Sequence, residues 1–91
     1  MKAVLRVILS AEGRGSMSAT LPIDIEFTPS LDIFFDDSCW GGKSKKPEAI
    51  TFDINTGSFD IFMGEEKRFL TRELMEQRAE VFRSCNWDVK G

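Results

Sequence analysis

The chain has 91 residues, 42% of them hydrophobic and 30% charged, with a net charge of −3. That suits one domain spanning residues 1–91 with a modest core, and it is the composition of a folded chain rather than a disordered one. The acidic balance excludes a general nucleic-acid binder, which needs a basic surface. The absence of histidine excludes Ser-His-Asp and Cys-His catalysis and the usual zinc sites.

The first apolar run, Ala3 to Leu9, alternates with Val4, Arg6 and Ile8 and reads as a strand. After Met1-Lys2 it faintly resembles an export signal, but Arg6 interrupts it, so the chain is expected in the cytoplasm. No stretch reaches the roughly 20 apolar residues of a membrane helix. Glu12-Gly13-Arg14-Gly15-Ser16 reads as a turn and residues 18–27 as a second strand. Pairing Leu5 with Ile25, Val7 with Ile23 and Leu9 with Leu21 makes one apolar face and sets Arg6 opposite Asp24. Pro22 cannot donate to a ladder, so the second strand is bulged there or is an edge.

Thr28-Pro29-Ser30 turns the chain, and Leu31, Ile33 and Phe35 are expected to continue the apolar face as a third strand. Residues 37–48 form the longest irregular stretch, of a length that marks a functional or mobile loop. Residues 50–63 then alternate, break at Asn55-Thr56-Gly57-Ser58, and alternate again, which is a hairpin signal. A loop over Asn55–Ser58 pairs Ile54 with Phe59, Phe52 with Ile61 and Ile50 with Met63. All six then share the core face, and Asp53 and Asp60 oppose each other on the other face.

After Gly64 the apolar period changes to that of a helix. Thr71 is the expected N-cap, Leu70 and Met75 a hydrophobic staple, and Asn86 the stop. Leu70, Leu74, Val81 and Cys85, widened by Met75 and Phe82, form the expected core stripe. Arg78 falls within it, either laying its stem over the core or pairing with a carboxylate at the sheet edge. The expected fold class is α+β: an antiparallel, meander-like sheet of about five strands with one C-terminal helix packed on one face.

Two motifs are incomplete. Gly41-Gly42-Lys43-Ser44 matches the tail of a P-loop, but Asp37 stands where its first glycine belongs and no helix pattern follows. Asp53-Ile54-Asn55-Thr56-Gly57 resembles the opening of an EF-hand loop, but the glycine comes one residue early and Gly64 replaces the closing glutamate. No cofactor and no metal ligand set is expected. Cys39 and Cys85 read as reduced thiols, with a single Cys39–Cys85 bridge as the alternative.

Under these registers Asp24, Glu26, Asp32, Asp36, Asp53 and Asp60 lie on the sheet face away from the helix, with Phe34 and Phe62 among them. Paired acids support acid–base chemistry only in a cleft that splits their proton affinities, and a small open sheet offers little of one. Phenylalanines ringed by acids suit an interface, where aromatics anchor and charges steer. Trp40, beside Lys43, Lys45 and Lys46, is a further contact candidate, although Trp40 and Trp87 also read as core lids. The expectation is therefore a small acidic, non-enzymatic protein-binding module of the inhibitor or immunity kind. It would occlude a basic surface through the acidic-aromatic face or the 37–48 loop, a nucleic-acid-binding protein being one such partner, with no direct nucleic-acid or membrane contact. A homodimer that buries Phe34 and Phe62 against its twin, and a small carboxylate enzyme, are the competing classes.

Overall fold

The computed structural model describes residues 1–13 and 15–91; Arg14, within the expected first turn, lies outside the described residues. Five strands form one sheet: β1 (Lys2–Ser10), β2 (Ser16–Asp24), β3 (Ala49–Asp53), β4 (Ser58–Glu65) and β5 (Asp88–Lys90). The single α-helix, α1 (Arg72–Ser84), lies between β4 and β5, and a one-turn 3-10 helix spans Ser38–Trp40. The α+β class holds, but the sheet is mixed. Its order is β3-β4-β1-β2-β5, with β1 parallel to β4 and the other neighbours antiparallel. A meander is thereby corrected: the chain leaves β2, crosses residues 25–48 without a strand, and returns as β3 at the opposite edge of the sheet, with β4 between it and β1.

β1 occupies the centre because its alternation is the most regular in the chain. Ala3, Leu5, Val7 and Leu9 are buried on one face, while Val4, Arg6 and Ile8 are half-buried on the other. The partners differ from expectation by an even number of residues. Leu5 faces Leu21, Val7 faces Ala19 and Arg6 faces Thr20. An even shift keeps every side chain on its own face, so burial by face cannot choose between the two registers; here the choice is the shorter connection, closed by the Ala11 amide donating to the Gly15 carbonyl at 3.1 Å. Pro22 sits beyond the end of β5, which pairs only with Ser18–Thr20, so β2 is an edge at that residue, as expected.

The β3–β4 hairpin is shifted in the same manner. Phe52 faces Phe59, Ile50 faces Ile61, Thr51 faces Asp60 and Asp53 faces Ser58. Ile61 and Met63 are buried, Ile50 and Phe59 are half-buried, and Phe52 and Ile54 are exposed. The six apolar residues of the hairpin therefore do not all lie under the helix, because β3 is the sheet edge and α1 packs mainly across β5, β1 and β2. A β-bulge on β4, where Met63 and Gly64 span the single Val7 between Arg6 and Ile8 of β1, contains Gly64, whose φ of 101° is open to glycine and strained for other residues. A side chain there would also collide with the Glu48 carboxylate.

Residues 30–36 form no strand; Phe35 makes one isolated bridge with Lys45, through reciprocal amide bonds of 2.7 and 2.8 Å. The expected third strand is replaced in the count by β5, which is too short to show a period in the sequence. The helix begins as expected, with Thr71 Oγ1 accepting from the Leu74 amide at 3.2 Å. It ends in a Schellman turn. Asn86 has a φ of 71°, the Asn86 amide donates to the Arg83 carbonyl at 3.1 Å, and the Trp87 amide donates to the Phe82 carbonyl at 3.0 Å. That turn reverses the chain into β5 and lays Trp87 edge-on to Phe82 (centroids 5.0 Å apart) and to Trp40 (5.8 Å).

Candidate functional site

The outer face of the sheet carries no helix, and its polar centre is Arg6. The guanidinium reaches Asp60 on β4, with Nη2 3.0 Å from Oδ2 and Nε 3.3 Å from both oxygens, and Nη1 lies 3.4 Å from Ser18 Oγ on β2. Arg6 thus takes Asp60, not Asp24, as its partner; Asp24 accepts from the Met1 amino group at 3.0 Å. Asp53 caps its own turn, accepting from the Asn55 amide at 2.9 Å. The opposed Asp53–Asp60 pair does not form, because the shifted register separates them.

The remaining predicted contacts divide. Asp24, Asp53, Asp60 and Phe62 stay on the strands, whereas Glu26, Asp32, Phe34 and Asp36 belong to the 25–48 segment and not to the sheet. Phe34 is 62% exposed, with Lys46 Nζ 4.9 Å from its ring centre. Trp40 is a correction: at 5% exposure it is a core residue, in edge contact with Trp87, and it has no free face for a partner. The acidic residues are therefore not all carried by the sheet.

The helix presents what the sequence reading assigned to the core. Its buried residues are Met75, Ala79 and Phe82. Leu74 and Val81 face outward from α1, about 120° around the axis from the buried stripe at 100° per residue, and Leu70, which precedes the N-cap Thr71, is 77% exposed beside them. Leu70 is thus no staple against the buried Met75. With Phe69, Gln77 and Arg78, these residues line an open groove of about 400 Å³. Lys67 lines the start of the groove, and Glu73, on the first turn of α1 next to Leu74, lines the neighbouring depression; neither is in an ion pair among the described residues.

Bordering the groove lies the least exposed ion network among the described residues, half-buried. Arg78 Nε and Nη2 donate to Glu66 Oε1 and Oε2 at 2.6 and 2.9 Å, Lys45 Nζ is 3.4 Å from Oε2, and the guanidinium lies 4.6 Å from the Phe82 ring centre. Burial alone would raise the Glu66 carboxyl pKa; the Arg78 bonds and the charges of Arg78 and Lys45 outweigh it and hold the carboxyl below its ordinary value. Arg78 therefore realises the ion-pair reading.

A second cluster joins the 3-10 helix to the end of α1. Asp37 Oδ2 accepts from the Cys39 amide at 3.0 Å and from Trp87 Nε1 at 3.2 Å. An Asp37 oxygen, Cys39 Sγ and Cys85 Sγ all lie within 4.8 Å of one another. Both thiols are free. The sequence offered only a weak signal for this trio, since 46 residues separate the cysteines and no ligand spacing links them.

No family model matches the chain, and neither the curated proteins nor the solved structures yield a match. Among the described residues no helix is long and apolar enough to cross a membrane.

Proposed function

We propose that this chain is a non-enzymatic protein-binding domain whose contact surface is the outward face of α1. The observation that carries the reading is the exposure in one groove of Leu74 and Val81, on a helix that buries a different stripe, and of Leu70 just before its N-cap. A partner's amphipathic helix fits such a groove, placing apolar anchors on the three residues. The unpaired Lys67 and Glu73 would then meet a carboxylate and a cation of the partner and set its direction. Occlusion of a functional helix of another protein is inhibitor-like behaviour. The two carboxyl groups whose proton affinity is altered, Asp37 and Glu66, are both held in the charged form, which suits structural anions better than general acids.

The test uses a photo-crosslinking residue at position 70 in host extract, with Leu74→Lys/Val81→Lys as control. Both control sites are exposed, so the double variant should unfold within about 0.5 kcal/mol of the parent at each site yet lose the crosslinked partner. Retained capture would sink the reading.

A second reading rests on β3, which pairs with β4 alone and exposes Phe52 and Ile54 beside its free edge. An antiparallel twin strand centred on Thr51 would set Ile50 against Phe52 of the second copy. Sedimentation as a monomer at micromolar concentration removes it.

A further inference from the structure

The trio at the junction of the 3-10 helix and α1 has the chemistry of a soft-metal site. Asp37 caps the 3-10 helix, which turns Cys39 into the core, and the Schellman turn holds Cys85 at the end of α1. The two halves therefore come from backbone geometry on different parts of the chain. We propose that Asp37, Cys39 and Cys85 bind one thiophilic divalent cation of the zinc class, with a fourth position left for solvent or an incoming donor.

The distances suit a cation. Zinc–sulfur bonds of about 2.3 Å place tetrahedral ligand atoms about 3.8 Å apart. From a separation of no more than 4.8 Å, the sulfurs need to close by at most about 1 Å. A disulfide, at about 2.05 Å, demands nearly three times that movement at the same starting separation. The orientation is supported as well: Trp87 Nε1 donates to Asp37, as groups behind metal ligands commonly do. Asp37 and Cys85 are half-buried while Cys39 is buried, which leaves the fourth position toward the surface.

No electrons move in binding. Two sulfur–metal bonds form, and the two thiol protons leave to solvent. One carboxylate and two thiolates around a divalent cation leave one negative charge. Arg78 lies near enough to both cysteines to feel their charge and offsets part of it. The site is independent of the α1 groove, and its failure would leave the binding proposal standing.

The reduced chain is titrated with Co2+ as the spectroscopic probe and then with Zn2+. The expected result is thiolate-to-cobalt charge-transfer absorption that saturates at one cation per chain and is bleached by Zn2+. It should be lost in Cys85→Ser, whose half-buried position tolerates the change, and in Cys39→Ser. Should Cys39→Ser fail to fold, protection of both thiols from alkylation by Zn2+ in the unaltered chain gives the same answer. An absent band, a band that survives Cys85→Ser, or unprotected thiols overturns the proposal, as does ready closure to a disulfide with no cobalt band in the reduced chain.

Discussion

Arg78 holds Glu66 through two parallel hydrogen bonds of 2.6 and 2.9 Å, and the pair ties the segment after β4 to the middle of α1. Only 10% of the Glu66 side chain and 23% of the Arg78 side chain is exposed, so water does little to screen them. This is a structural anion placed where the sheet ends and the helix crosses.

The pair makes stability depend on pH in a stated direction. The Glu66 pKa is lowered on folding, so its contribution is present above the unfolded value of about 4.3 and is lost as pH falls through the folded value. Glu66→Gln should cost about 1.5–3 kcal/mol near neutral pH, the range for bonds to a charged group. Urea unfolding near pH 7 and near pH 3 should show the gap between parent and variant narrowing in acid. A gap of constant size would refute the assignment.

The hairpin register is open to a paired test. Ile61 is fully buried, whereas Ile54 is 83% exposed in the loop. Ile61→Ala should cost about 2–5 kcal/mol, and Ile54→Thr should fall within about 0.5 kcal/mol of the parent. In the register read from the sequence, both residues would lie under the helix and both substitutions would be costly. Denaturant midpoints at unchanged slope decide between them.

Gly64 carries two separable constraints, its φ of 101° and the closeness of Glu48. Gly64→Ala should destabilise by about 1–3 kcal/mol. Adding Glu48→Ala should return only the part due to collision, because the backbone strain remains. Full recovery in the double variant, read by thermal unfolding, would show that φ is not limiting.

Much of the local structure was legible because its causes are local. Period-two alternation marks β1 and the hairpin, the Thr71 hydroxyl marks where α1 begins, and Asn86 marks where it ends in a positive-φ turn. Leu31, Ile33 and Phe35 misled for the opposite reason: alternation supplies a face but not a partner strand. β5 was missed because three residues carry no period. Of the site residues, Phe34 lies exposed as expected, while Trp40 is in the core.

The sequence by itself determined β1, β2, the hairpin and α1, the parity of the strand faces, the caps of the helix and the lack of histidine chemistry. Only the tertiary structure decided the rest. Even register shifts leave every face unchanged, so hydrophobic pattern cannot separate Arg6 opposite Asp24 from Arg6 opposite Thr20, and only the strand order brings Asp60 of β4 to Arg6. A parallel β1–β4 pair depends on where a strandless crossing of residues 25–48 returns the chain. A helix whose apolar arc is wider than the sheet can cover buries the side that fits the sheet, here Met75, Ala79 and Phe82. That choice left Leu70, Leu74 and Val81 outward, and it brought Cys85 to Asp37 and Cys39 across 46 residues of chain.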